Sequence, residues 1–406
     1  MSDGHGHGGE HGGEHGGEHE GGRREVRALS LAEAGKLDSW RALCGSADLF
    51  CTPRWLAVEQ SGTGPWVPEA AECLAVPGPV SPSAGAGGAG STERLSAGLT
   101  VQRFDRSVDD ETVRLDKMLV PGPGTGASEL DRALLPSLMC GGWFNSRVLA
   151  APGTPEPERS AARRALIATA VGTARSGGCP TVFFPYVDAA DLALRADLRA
   201  AGFTEFPAPA RHVFDCDYPG HDTYVETLPS RRKVRLRKEL RRFEQAGVVT
   251  AHAPLDHSNV ERVAALAHNL ERKYEQRSSQ EQLTEWFASI AANTDASVFT
   301  AALDGRPFAM SMWLRHEERL YGFHAGFDYE TGAGLPMYAV IGYHLPIAYA
   351  CDEPGLRTLE YGTSADEAKL LRGTVAMPQI LAVKPLTERA ERALAGCAAV
   401  EPGREV

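Results

Sequence analysis

Two periods of hydrophobicity alternate along the chain. Apolar residues recur at helical spacing from Glu156 to Arg175, and Val263, Leu266, Leu270 and Tyr274 line one side of Asn259–Gln276, as in an amphipathic helix. Thr181–Tyr186 is nearly all apolar and reads as a buried strand. Elsewhere in the first half the pattern predicts helices over Leu29–Cys44, the end of Ala47–Gln60, Glu129–Met139 and Ala189–Ala201. Strands are expected at about 71–76, 94–103, 146–151 and Arg211–Cys216. The second half repeats this order. A helix from Ser230 leads to a short strand near Val248, and helices cover Asn259–Gln276 and Gln280–Ala292. Three strands follow, Ser297–Leu303, Pro307–His316 and Arg319–Phe327, the first two joined by an Asp304-Gly305 turn. Leu335–Ala350 reads as a helix, Arg357–Tyr361 as a strand, Ser364–Leu371 as a short helix and Gln379–Val383 as the last strand.

This alternation is α/β, in two similar halves meeting near residue 218. The expected boundaries are a disordered tail over 1–25, domains over 26–217 and 218–390, and a flexible tail over 391–406. Gly78–Thr92 and Pro121–Ala127, rich in Gly and Pro, are loops. At 406 residues and 43% hydrophobic composition, each half can bury its own core. No run of eighteen apolar residues occurs and the first thirty residues are polar, so neither a membrane span nor a secretory signal is expected and cytoplasm is the default location. The eight cysteines form no CxxC pair and read as reduced thiols, with neither disulfides nor a structural zinc site.

Charge changes the picture at one place. Arg231–Arg242 holds eight basic residues and one acid in a chain of net charge -11, which calls for an anionic partner or a solvated charged face. Leu236, Leu240 and Phe243 form a packing stripe, while Arg231, Arg235, Lys238 and Arg242 fall roughly opposite. The cations of the first turn oppose the helix dipole, and a bound anion would relieve that. The net negative charge of the rest argues against coating DNA. The first twenty residues repeat His-Gly-Gly-Glu and hold five of thirteen histidines. Such a tail is either inert or a weak binder of nickel or zinc, with no fixed geometry to select an ion.

Candidate chemistry gathers in the second half. Gly332 and Gly334 lie between a strand and the helix expected from Leu335, where backbone N–H groups can hold a phosphate, or where two glycines simply make a tight turn. Glu360 and Tyr361 close a strand, the end at which open α/β sheets place ligand groups. Tyr361 would donate to a leaving thiolate or ribose oxygen, or as a buried core group satisfy a backbone carbonyl, and Glu360 or a water would take an ammonium proton, although neighbours on a strand face opposite ways. His324 is either a catalytic base or a hydrogen-bonded core group, and parity places it with Gly322 rather than Tyr321. Asp328 would bind an amine or cap a turn. Lys369 and Arg372, near the end of a short helix, would complement its dipole or contact phosphate or carboxylate.

Leu228–Arg232 (LPSRR) with the basic helix, Ala302–Pro307 (ALDGRP) before a hairpin, Tyr321–Tyr329 (YGFHAGFDY), and Leu359–Thr363 (LEYGT) followed by Lys369 and Arg372 resemble the GNAT superfamily. The resemblance is specifically to Fem-like, BioF2-like acyltransferases with two tandem GNAT-type halves. It covers about 216–390, with fainter support at Thr52–Leu56 (TPRWL). It implies two mixed central sheets flanked by helices and a pyrophosphate loop at Gly332–Gly334, in which Tyr329 stands where Gln or Arg is usual. It implies acyl transfer from a CoA thioester, with no tightly bound cofactor, to a small-molecule or peptide amine or hydroxyl, the donor's phosphates being held by Arg231, Arg235, Lys238, Lys369 and Arg372. Fem-like relatives add a second expectation, an aminoacyl-tRNA donor whose acceptor stem lies on the basic stripe. The Tyr329 departure supports a third, a catalytically silent binding module.

Overall fold

The structure, a computed structural model, describes residues 24–45, 49–78, 94–108, 110–122, 125–274 and 278–399. The His-rich repeat and most of the expected loop at 78–92 lie outside them. Strands of the first half are β1 (Arg27–Ser30), β2 (Ala70–Pro77), β3 (Leu95–Phe104), β4 (Leu119–Val120), β5 (Ser137–Cys140), β6 (Leu149–Ala150), β7 (Thr181–Asp188) and β8 (Thr204–Asp215). The second half adds β9 (Val249–Pro254), β10 (Asp295–Leu303), β11 (Arg306–His316), β12 (Arg319–Phe327), β13 (Thr358–Glu360), β14 (Val375–Pro385) and β15 (Ala398–Ala399).

Thirteen strands form one mixed sheet in the order β1-β2-β3-β5-β7-β14-β8-β13-β12-β11-β10-β9, with β6 beside β3. Its pairs are antiparallel except β5 with β7 and β12 with β13. The expected boundary near residue 218 falls just after β8, and the sheet crosses it. β14, late in the sequence, pairs with β7 on one side and β8 on the other, so the end of the second half completes the sheet of the first. β7 is buried along seven of its eight residues, as befits a strand covered on both faces. Its Phe184 packs with the helix Glu156–Ser176, and its Phe183 with the larger cluster that includes Trp286 and Phe287.

Four expectations are corrected. Leu29–Cys44 is a strand followed by two helices, Leu31–Lys36 and Asp38–Cys44. The Ser30 hydroxyl accepts from Glu33 N–H while the Glu33 carboxylate accepts from Ser30 N–H, a capping box that starts the helix at Leu31 and leaves Arg27–Ser30 extended. The helix expected over Glu129–Met139 is Ala127–Leu134; Pro136 cannot continue it, and Ser137–Cys140 becomes the buried β5. The helix expected from Leu335 begins at Met337 and widens to a π-turn over Val340–His344 before Leu345–Asp352. The wide turn precedes Pro346, whose ring has no N–H to give and crowds the turn before it. Finally, 391–406 is not a free tail as far as it is described: Ala390 and Leu394 bury one stripe of the helix Glu388–Ala395, and β15 pairs with β4.

Candidate functional site

Parallel β12 and β13 share only three registers, ending at Tyr321 opposite Glu360. β12 continues to Phe327 against β11, whereas the chain after Glu360 stays with β8: Tyr361 N–H donates to His212 O at 2.9 Å and His212 N–H to Gly362 O at 3.0 Å. Two parallel strands therefore part at their C-terminal ends in mid-sheet, the place where α/β sheets seat ligands.

Tyr361 stands at that parting. Its ring stacks on Tyr343, centroids 5.0 Å apart, and meets Trp313 edge-on at 5.2 Å. The hydroxyl is buried with no hydrogen-bond partner, and burial pushes the phenol well above its usual range. It is thus a neutral donor awaiting an acceptor. Arg372 lies over the other partner of the stack, its guanidinium 4.1 Å from the Tyr343 ring centroid.

Glu360 points away from Tyr361, as strand alternation requires. Arg211 donates to one carboxylate oxygen at 2.5 Å and Arg319 to the other at 2.8 Å. That clamp engages both oxygens in holding β8, β12 and β13 together, a structural position in place of the proton-accepting role expected for Glu360. His324 is also corrected. The β11–β12 register skips Phe323, and this bulge reverses the parity that grouped His324 with Gly322. His324 instead faces Phe287 on the side of Tyr321, its Nε2 3.3 Å from Glu271 Oε1 and its Nδ1 2.9 Å from Ala325 O. Both nitrogens are engaged. Asp328 accepts from the N–H groups of Glu330 and Thr331 and from the Thr331 hydroxyl, so it caps the turn.

The glycine loop and the basic helix meet. Gly332 N–H donates to Asp328 O at 3.0 Å, and a Cβ on Gly332 would collide with the Met337 sulfur; this glycine serves packing and turn, not phosphate. Gly334 has φ +75° and open space around it, and its carbonyl accepts from Arg242 of the helix Ser230–Gln245. Leu236 and Phe243 are buried on that helix, while Arg231, Arg235 and Lys238 lie exposed. Arg235 donates to Glu239. Among the described residues no carboxylate pairs with Arg231, Lys238 or Arg241.

Lys369 is not on the surface. It is 3% exposed, and its Nζ donates to Gly362 O at 3.0 Å. Burial lowers its ammonium to about 8, with Asp366 opposing. His212 beside it is bridged to Asp366 at 3.0 Å and to Thr374 at 3.1 Å. Burial and then Lys369 lower its pKa. Neither His212 nor Asp366 carries a sequence signal, since the two are 154 residues apart.

A second pair was legible in principle. Glu239 is the one acid in the basic block and falls on its apolar face, three residues after Leu236, where a carboxylate needs a partner. That partner is His344 of the π-turn, its Nε2 2.7 Å from Glu239 Oε2. Glu239, His344, Arg232, Arg235 and Arg372 line a crevice beside Tyr224. Burial raises the Glu239 carboxyl, but bonds to His344 and Arg235 outweigh it and bring it down to about 2. Among the described residues, no group of His, Cys, Asp and Glu is arranged to hold a metal, and no helix is long and apolar enough to cross a membrane.

The sequence of residues 230–370 matches the model of the acetyltransferase (GNAT) domain family. No curated protein matches the chain. In shape it is similar to the crystal structure of FemX, with a TM-score of 0.58 at 12% identity over 91% of this chain and 99% of that one. A tandem GNAT protein from the clavulanic acid biosynthesis pathway gives 0.49 at 16% identity, over 89% and 98%. A GCN5-related N-acetyltransferase from Sphaerobacter thermophilus gives 0.41 at 12%, over 90% and 96%. The domain match over 230–370 and the likeness in shape to FemX give a GNAT-like and Fem-like fold, as the sequence motifs anticipated.

Proposed function

We propose that the protein is an acyltransferase that moves an acyl group from a CoA thioester to an amine. The observation that carries this reading is the parting of β12 and β13 with the unpartnered Tyr361 hydroxyl beside it. The amine attacks the thioester carbonyl, a C–N bond forms, the C–S bond breaks, and the amine's proton reaches the departing thiolate through water. Tyr361 donates a hydrogen bond to that thiolate as its charge develops. The exposed cations Arg231 and Lys238, with Arg242 held against the Gly334 loop, are the groups offered to the donor's phosphates. The GNAT match over 230–370 supports the reaction class.

The test is thiol release from acetyl-CoA and longer acyl-CoA in the presence of primary amines. Arg231→Glu with Lys238→Glu should raise the donor KM at least tenfold. Release that no amine stimulates would sink the proposal.

Arg231, Lys238 and Arg241, which pair with no carboxylate among the described residues, favour one second reading, an aminoacyl-tRNA donor. In that case RNA co-purifies and its affinity falls steeply with salt; transfer from acyl-CoA by RNA-free protein would exclude it.

A further inference from the structure

Four of the six tryptophans in the chain meet at a crevice between its two halves. Trp55 comes from the helix Pro53–Gln60, Trp66 from the segment before β2, Trp143 from the segment after β5 and Trp286 from the helix Gln280–Asn293. Trp66 stands edge-on to Trp143 at 4.3 Å and to Trp286 at 4.9 Å. Phe323, the bulged residue of β12, packs behind two of these rings, Trp55 at 5.6 Å and Trp286 at 5.2 Å. One ring layer thus separates the crevice from β12 just past the point where it leaves β13. Its empty volume, open mouth included, is about 290 Å³.

Two kinds of polar group interrupt these walls. Glu59 lines the crevice one helical turn from Trp55, whose indole N–H donates to it at 3.0 Å. It is the one titratable side chain among the described lining residues. The indole N–H groups of Trp66 and Trp143 are buried with no acceptor, and Trp143 is only 7% exposed. Aromatic faces with a carboxylate suit an ammonium. Stranded N–H donors suit a carbonyl or carboxylate oxygen. One small molecule offers both: a free α-amino group beside a carbonyl.

We infer that this crevice binds the amino end of an amino acid or peptide, the acceptor amine of the transfer, with Glu59 and the indole faces holding the ammonium and the Trp66 and Trp143 N–H groups the adjacent carbonyl. The acceptor role rests on the acyltransferase reading; the binding does not.

The test is tryptophan fluorescence titration, without donor, using the amides of Gly-Gly, Ala-Ala and Lys-Ala and their N-acetylated counterparts, each to 10 mM. At least one free-amine peptide should bind saturably and its acetylated form at least tenfold more weakly. Glu59→Gln, which keeps the side chain's shape, should lose at least tenfold in affinity, and Trp143→Phe should weaken binding while the protein still melts cooperatively. Burial raises the Glu59 carboxyl to about 7, against hydrogen bonds from Gln102 and Trp55, so affinity should also fall as the pH drops through 7 in wild type but not in Glu59→Gln. No saturable binding by any of the peptides, equal binding of acetylated forms, or an unaffected Glu59→Gln would each overturn the site. Binding without acyl transfer would leave the site standing and remove the enzyme reading; transfer to butylamine that Glu59→Gln does not touch, with no peptide binding, would do the reverse.

Discussion

The ring of Tyr361 lies on that of Tyr343, 5.0 Å between centroids and 16° from parallel, and the Tyr343 and Tyr338 hydroxyls share a hydrogen bond of 2.9 Å. The stack fixes the Tyr361 ring without using its hydroxyl. Phenylalanine keeps the stack and removes only an unpartnered buried oxygen, so stability should hold or rise by about 1 kcal/mol. Tyr361→Phe should lower kcat at least tenfold. Thermal melting and steady-state kinetics on one preparation separate the two effects, and an unchanged kcat removes Tyr361 from the mechanism.

The Glu239–His344 pair predicts an acid-sensitive part of stability. A carboxyl brought from 4.5 to about 2 in the folded state releases its proton more readily there than in the unfolded chain. Its contribution is complete above about pH 4.5 and disappears as the pH falls toward 2. The size is on the order of 3 kcal/mol. Urea unfolding of wild type and Glu239→Gln should show the widest gap at pH 7 and a narrowing one at pH 4 and 3. A gap that does not change with pH would rule out an ionised Glu239 as its source.

Gly326 and Gly172 make an opposed pair of tests. A Cβ on Gly326 would enter the backbone of Leu266 and Ala267, so β12 lies on the helix Val260–Lys273 only because that position is bare. Gly326→Ala should cost about 3 kcal/mol. Gly172, inside the helix Glu156–Ser176, has nothing within 4 Å of its missing Cβ. Gly172→Ala should stabilise by about 0.5–1 kcal/mol, because alanine gives up less backbone freedom on folding. Chemical denaturation of both variants checks the sign.

Much of the site was legible piecemeal. The basic helix, its apolar stripe through Leu236 and Phe243, and the glycines before the next helix all announced themselves locally, because spacing and charge within a dozen residues carry that information. The roles of Glu360 and His324 did not. Glu360 is held by Arg211 from another strand, 149 residues away, and His324 was turned over by a single bulged residue, which alternation along one strand cannot reveal.

By itself the sequence determined the α/β class, the helix that gathers the basic residues and the motifs that resemble GNAT and Fem-like proteins, since hydrophobic period and local charge are properties of neighbours along the chain. The tertiary structure alone decided that β14 closes the first half's sheet, that β12 and β13 part beside Tyr361, that Glu239 finds His344, and that four tryptophans share one crevice with Glu59. Each of these is a contact between residues far apart in sequence, fixed by which surfaces must be buried together and invisible to any window along the chain.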